Sequence, residues 1–530
     1  MAQLDEARTI SDTVAAHVAD HNQLHAKANY VFDVTDFGAT GDGATDDAAA
    51  IQLAIDEGGD VYFPPPATSY LVKSTLTVST DGQTLFGDGL NTQILANAAT
   101  FNIITIATNT DYVTIRDLWL RGAAADDSTV QYSVSAASNT TTNVTIRDCR
   151  LSHGNNGIVT GSGTDWIIDR CRFDTLVGKI SGTGYGVLAP DASVRTTVTA
   201  CKFVGSASNG RHAIYFSVGN TYSIATTNSI EAFNETAILL SASSAQAGVI
   251  GALIKGNTIR GGGTSGTVES AGIALLGKIS HSTVHGNTII SFDNDGIILN
   301  DAGSGGLCVR NTIKNNDVIL SGLVGIRVLG SKDCAVIGNF IYNSSQDSSG
   351  THVGIRVVSS GSFGTEVADG TRVIGNVSFG SDQRSAYALD TAAPVPTNTV
   401  ATGNMFLAGD VAGEAYELNV ATVTSQFFGN SSDQTAAKSS DDIKGHLSES
   451  AALNFGAIAA NTTAELTITV TGVATTGWTV LVTPEGSPEA GLVWSGQVSA
   501  SNTVTVRLGN VTVGAINPAS RTYRVDCWRH

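Results

Sequence analysis

Val113-Thr114-Ile115-Arg116-Asp117 returns as Val144-Thr145-Ile146-Arg147-Asp148, and variants of this phrase recur about a dozen times before Asn430. Later copies settle on Gly-Asn, at Gly256-Asn257, Gly286-Asn287, Gly338-Asn339, Gly375-Asn376, Gly403-Asn404 and Gly429-Asn430. Arg170-Cys171, Ala200-Cys201, Asn228-Ser229 and Asn316-Asp317 are read in the same frame. The interval runs from roughly 22 to 37 residues, the range of solenoids and propellers. A second apolar alternation follows each phrase, often opened by glycine, as in Gly157-Ile158-Val159, Gly272-Ile273-Ala274-Leu275 and Gly296-Ile297-Ile298-Leu299.

Each unit therefore holds two or three short strands between Gly, Asn, Ser and Thr turns. No unit carries a helix-length periodic segment, which excludes a leucine-rich-repeat solenoid. A propeller blade needs about 40 residues per repeat. A parallel β-helix with one coil per repeat remains, and its coils tolerate loops of unequal length. The recurrent asparagine is expected to take left-handed backbone geometry and to bond to its neighbours above and below.

The 530-residue length allows several domains, and 42% apolar residues suffice for a core. Only 14% of residues are charged while glycine reaches 58, which suits a turn-rich β solenoid. A net charge of −18 argues against nucleic acid as a partner and against anionic membranes. Neither an apolar signal segment nor a membrane-length apolar run is visible, so no secretory signal and no membrane insertion are predicted.

Cys149, Cys171 and Cys201 each fall one residue after the reference position on successive coils, so they are expected to stack. Buried reduced thiols are the simple expectation, and a disulfide between neighbours the alternative. Cys308, Cys334 and Cys527 carry no metal or redox spacing.

Residues 1–29 read as a helix with Ala7, Ile10, Val14, His17, His21, Leu24 and Ala28 on a heptad seam. Such a segment is too short to stand alone in water, so it is expected either to associate in a trimer or to dock on a neighbouring protein. Thr45 and Asp46 then suit the cap of a second helix carrying Ile51, Ala54 and Ile55, which Gly58 and Gly59 end.

The segment Val34–Asp56, with the phrases Tyr62-Phe63-Pro64-Pro65 and Leu85-Phe86-Gly87-Asp88-Gly89, resembles the entry segment of the pectate-lyase-like superfamily as found in bacteriophage tailspikes. The resemblance covers roughly residues 30–430. It implies a right-handed parallel β-helix whose open end is capped by the short helix. It also marks Asp42, Asp46 and Asp47 as architecture and not catalysis. The superfamily includes hydrolases, lyases and non-enzymatic adhesins, so fold alone leaves activity open.

Residues 432–450 are polar and read as a linker. The strands expected from Ala464, Trp478, Gly491, Thr503 and Thr522 onward make residues 451–530 a β-sandwich. The phrases Gly491-Leu492-Val493-Trp494 and Asn517–Arg524 resemble a small terminal domain of phage tail proteins, which implies trimerisation or carbohydrate binding. The expected division is thus 1–29 helix for trimerisation or virion attachment, 30–100 entry and cap, 101–431 β-helix body, 432–450 linker and 451–530 sandwich. The whole is expected to be an all-β homotrimer.

Motifs of the superfamily's polygalacturonases are missing, since neither Gly-His-Gly nor Arg-x-Lys occurs. Aligning coils on their glycine-led strands brings Asn155 and Asn156, Arg211 and His212, Glu235, Glu269, then Asp293 and Asp295 into one frame, with His352 two coils later. Neighbouring rungs lie about 5 Å apart and alternate rungs about 10 Å. Retaining glycosidases hold two carboxyls about 5–5.5 Å apart and inverting ones about 6.5–9.5 Å. Glu235 with Glu269 answers to the first spacing and Glu235 with Asp295 to the second. Glu235, Glu269 and Asp295 are accordingly the candidate catalytic carboxylates, and Arg211, His212 and Asp293 the candidate substrate contacts. The bland reading is that polar residues simply gather at turns. Trp119 and Trp166, both within strands, are expected to point inward.

What the resemblance implies is a tailspike in the virion tail that recognises a host surface polysaccharide and hydrolyses it with two carboxylates. Its partners would be that glycan, two further copies of itself, and tail or baseplate proteins through the N-terminal helix. No cofactor is expected, with a structural or catalytic calcium ion as the alternative. The competing readings are a non-catalytic adhesive fibre and a polysaccharide lyase.

Overall fold

The computed structural model describes residues 30–529 apart from residues 124–130, 137–139, 179–182, 207–208, 244, 264–269, 302–306, 350, 360–367, 381–384, 390–395, 408–415, 419–425, 429 and 433–444. The heptad-patterned segment 1–29 lies outside the described residues.

The repeated phrases stack in register. Thr114, Ile115 and Arg116 lie beside Thr145, Ile146 and Arg147, which lie beside Ile167, Ile168 and Asp169. Three parallel sheets result. The first, from Val31–Asp33 to Gln426–Phe428, and the second, from Asp42–Asp46 to Ser431–Ser432, hold fifteen strands each; the third, from Leu76–Val78 to Tyr416–Leu418, holds thirteen. The chain visits them in turn and so winds a right-handed parallel β-helix. Alternate side chains fill its interior: Ile115, Ile146 and Ile168 from the first sheet, Leu151, Phe173 and Phe203 from the second, Ile158, Val187 and Ile214 from the third. Phe173 and Phe203 stack with ring centroids 4.5 Å apart.

One corner sets the winding. From Thr114–Arg116 onward, two residues join each first-sheet strand to the second-sheet strand after it. The first of the two is left-handed: Asp117, Asp148, Arg170, Ala200 and Thr227 at φ 50–56°, then Gly256 and Gly286 at 64° and 62°. The second points into the coil. Left-handed geometry therefore belongs to the first corner residue, which is glycine in most later coils, and not, as the sequence suggests, to the inward asparagine after it. The frame also shifts by one at two places, so that Thr227-Asn228 and Asn315-Asn316 are the corner pairs.

The inward position carries Leu118, Cys149, Cys171 and Cys201, and then asparagine from Asn228 to Asn430. Asn257 N–H donates to Asn287 Oδ1 at 2.9 Å, and Asn287 N–H to Asn316 Oδ1 at 2.9 Å. Each amide also caps the interior carbonyl one coil back, as Asn287 Nδ2 does to Ile254 O at 3.0 Å. The ladder thus satisfies buried polar groups that the corner would otherwise orphan. The thiols take the asparagine's place, with Cys171 Sγ 3.5 Å from Ile146 O and Cys201 Sγ 3.5 Å from Ile168 O. All six cysteines are buried and free, and burial pushes the Cys171 thiol well above its ordinary value.

The glycines that open third-sheet strands are required by space. A Cβ on Gly157 would lie 2.3 Å from Gly186 O and 2.7 Å from the Phe173 ring. Gly157→Ala is expected to cost about 1–3 kcal/mol through overpacking, measured as a shifted urea midpoint with an unchanged slope.

At the entry, helix α1 (Ala48–Asp56) buries Ile51, Ala54 and Ile55 against the first coils. Its N-cap is Asp47, one residue beyond the expected pair, and that carboxylate turns back into the loop. It accepts from Thr40 N–H at 2.6 Å and Gly41 N–H at 3.2 Å. Asp42 accepts from Ala44 and Thr45 N–H, bonds that hold its carboxyl down to about 2. These aspartates staple the loop.

Two three-stranded antiparallel sheets follow the β-helix. One orders Gly445–Leu453, Arg521–Arg529 and Trp478–Pro484; the other orders Thr463–Thr469, Thr503–Asn510 and Leu492–Ala500. Val504, Val506, Leu508, Val525 and Cys527 form their shared core. Strand Gly445–Leu453 lies partly in the stretch read as linker to residue 450. Only Leu447, Ala451 and Leu453 face inward there, too sparse an alternation to be read as a strand.

Candidate functional site

The entry edge of the third sheet gathers the candidate residues. Tyr185, His212 and Thr236 are neighbours on successive rungs, and Ala271 pairs with Asp295 further along the same column. Arg211 and Glu235 sit one residue ahead of His212 and Thr236. Arg211 Nη2 lies 2.7 Å from Glu235 Oε2, and His212 Nε2 lies 3.5 Å from the same oxygen.

His212 is buried, and its Nδ1 lies 3.0 Å from the Thr236 carbonyl. A carbonyl only accepts, so Nδ1 carries a proton and, in the neutral ring, Nε2 is bare toward Glu235. Burial, and then the charge of Arg211, hold the imidazole down to about 4. Tyr185 stacks on it at 5.7 Å and Tyr215 meets it edge-on at 5.6 Å, while Arg211 Nη1 donates to Tyr185 Oη at 3.2 Å. The Glu235 side chain is 16% exposed, so the carboxylate is held but reachable.

This geometry predicts an acid-linked loss of stability. The unfolded chain protonates its histidine near 6.5, the folded chain only near 4, so the unfolded state binds more protons between those values. Stability should fall by about 3 kcal/mol as pH drops from 7 to 4, and the fall should shrink in His212→Asn. Urea unfolding of both proteins at several pH values reads the difference.

Asp295 stands two rungs beyond Thr236, roughly 10 Å along the axis. Its side chain is only 1% exposed, is ion-paired with Arg327 and accepts from Val324 N–H at 3.0 Å. Burial raises its carboxyl, against the pull of Arg327. It is a buried anchor in this arrangement. Glu269 lies outside the described residues. Asp293 is exposed at the preceding corner, where partial enclosure and the charge of Asp347 raise its pKa. Gly322 lies between these two: a Cβ there would meet Asp293 O at 2.0 Å and Asp347 Cγ at 2.8 Å.

Sequence reading passed over Arg327 and Asp347. Arg327 was legible as the one charged residue in the apolar strand Ile326–Leu329. Asp347 lies in a turn whose return toward Gly322 depends on loop length. Among the described residues, no group of three or more His, Cys, Asp and Glu side chains is placed to hold a metal ion, and no helix is long and apolar enough to cross a membrane.

The coil and its cap have the architecture of the pectate-lyase-like parallel β-helices. Residues 31–266 match the family model for rhamnogalacturonase A/epimerase, pectate lyase-like, and residues 174–377 match that for periplasmic copper-binding protein NosD. No curated protein matches the chain. Similar solved structures include the A-module of an Azotobacter vinelandii mannuronan C-5 epimerase, at 19% identity and TM-score 0.52, covering 76% of this chain and 99% of that one. The tailspike protein of E. coli bacteriophage HK620, in complex with a pentasaccharide, is 12% identical at TM-score 0.53, covering 94% and 93%. Tailspike protein 3 of bacteriophage CBA120 is 13% identical at TM-score 0.52, covering 78% and 62%. At such identities the likeness is one of fold.

Proposed function

We propose that this chain is a tailspike-type receptor-binding protein that recognises a host cell-surface polysaccharide and hydrolyses it at the entry edge of the third sheet. The observation that carries the reading is the Arg211–Glu235–His212 group beside Tyr185 and Tyr215. A reachable carboxylate held by a cation, next to the half-buried Tyr215 ring, suits glycan acid–base chemistry. In this reading Glu235 is the ionised carboxylate, acting as base or nucleophile, and Glu269 the partner that supplies the proton, with Arg211, His212 and Asp293 orienting the sugar. Asp295, closed over Arg327, supports the strand edges and stands as the alternative partner. Residues 1–29 would attach the spike to tail or baseplate proteins, and the terminal sandwich would trimerise the chain or bind carbohydrate. The place of action would be the virion tail, with no cofactor required.

The neutral His212 favours a second reading, a polysaccharide lyase. Its bare Nε2 is a base at neutral pH, and Arg211 beside it is a cation able to face a uronate carboxylate. Incubation with purified host-surface polysaccharide separates the readings. Hydrolysis releases reducing ends without ultraviolet-absorbing product; elimination gives both. Tight binding without either product would overturn both readings and leave an adhesin.

A further inference from the structure

We infer that the outer face of the second sheet, from Trp119 to Arg260, is a separate binding surface for an anionic polysaccharide chain lying along the helix axis. The inference does not depend on the catalytic reading.

Register places Trp119, Arg150, Arg172 and Lys202 side by side in one outward column on four successive rungs. The adjacent outward column holds Arg121, Ser152, Asp174, Val204, Glu231 and Arg260. Five cations (Arg121, Arg150, Arg172, Lys202 and Arg260) thus meet two carboxylates (Asp174 and Glu231) on a chain whose net charge is −18. Such a concentration of one sign on an opposite background focuses the local field.

The carboxylates organise this face without neutralising it. Asp174, 6% exposed, bonds both Arg150 at 3.2 Å and Arg172 at 2.6 Å, so the triad keeps one positive charge. Lys202 and Glu231 are 3.6 Å apart and both largely in water, a pair a ligand anion displaces readily. Trp119 was expected to point inward. It lies outward instead, anchored by Nε1 to Ser152 Oγ at 2.8 Å, with the Arg150 guanidinium 4.3 Å above its ring. That stack, with Asp174 on the Nε and Nη2 atoms, fixes the guanidinium. His153 next to the face is held below its ordinary value by burial and then by the charge of Arg121.

The spacing selects the ligand. Three successive rungs of the first column, Arg150, Arg172 and Lys202, carry one cation each, about 4.8 Å apart, close to the rise per sugar of an extended pyranose chain. A uronate-bearing polymer lying along the column therefore brings carboxylates within reach of these cations. Beyond Lys202 the column continues as Ser229, Thr258 and Thr288, whose hydroxyls suit sugar oxygens.

The test is titration of the full-length protein with a galacturonate oligomer, dextran and a short DNA duplex at two salt concentrations. Binding of the galacturonate oligomer that weakens with salt and drops about tenfold or more in Arg172→Gln/Lys202→Gln is the expected result. Lys202→Glu, which spares the partners of Asp174, should show the same direction if the double variant folds poorly. Unchanged affinity in these variants, or equal binding of dextran or DNA, would overturn the assignment. So would a change of molecular mass by light scattering in the variants, which would mean that a second copy covers this face.

Discussion

Asn287→Ala is expected to destabilise the β-helix by about 3–5 kcal/mol, although it removes no charge and little volume. Asn287 is fully buried and its amide serves four partners. Its Oδ1 accepts from Asn257 N–H and Asn257 Nδ2, both at 2.9 Å; its Nδ2 donates to Ile254 O at 3.0 Å and to Asn316 Oδ1 at 2.9 Å. Alanine leaves all of these groups buried and short of a bond. Water has no route in, because the coils above and below are packed. Cys201→Ala, at the same position of an earlier coil, should cost only about 1 kcal/mol, since a thiol bonds weakly. Urea unfolding of the two variants measures the contrast. Similar losses in both would mean that the column is held by packing, with the amide bonds contributing little.

Glu235→Gln is the second large effect, a predicted fall of roughly 10²–10⁴-fold in glycan turnover. The amide keeps the shape and can still bond Arg211, so the fold should be untouched. It cannot donate or accept the proton that bond cleavage requires. The ion pair changes too: Arg211, 17% exposed, loses its countercharge, and some weakening of substrate binding should accompany the loss of turnover. Asp295→Asn offers the comparison. Its carboxylate is enclosed with Arg327, so its expected signature is lost stability more than lost chemistry. Full turnover in Glu235→Gln would remove Glu235 from the reaction.

Most of the fold was legible because a solenoid writes its period into the chain. Val113–Asp117 and Val144–Asp148 look alike because they occupy equivalent places, and register then aligns everything between. The site was less legible. Side chains such as Arg211 and Glu235 stand at a loop-to-strand junction, where one frame is preserved; this is why coil alignment brought them together. Asp295 passed the same alignment but closed on Arg327 of the next coil, a contact that depends on the loop between the two strands. Trp119 failed for another reason. Large aromatics usually fill interiors, but Leu120 already held the inward place, and strand alternation left the indole outside. Strand Gly445–Leu453 was hidden because an edge strand with one wet face needs few apolar residues.

The two-residue corner between the first and second sheets has a consequence for how this molecule can change over generations. From Thr114 onward that corner never varies in length, while the other two corners absorb all the difference between short and long coils. Insertions and deletions are therefore filtered by position. One along the invariant corner would break the asparagine column and the winding of later coils with it. One beside the third sheet only lengthens a loop over the candidate site. The corner is an inherited frame, and the third-sheet border is where new loops are free to be tried on it.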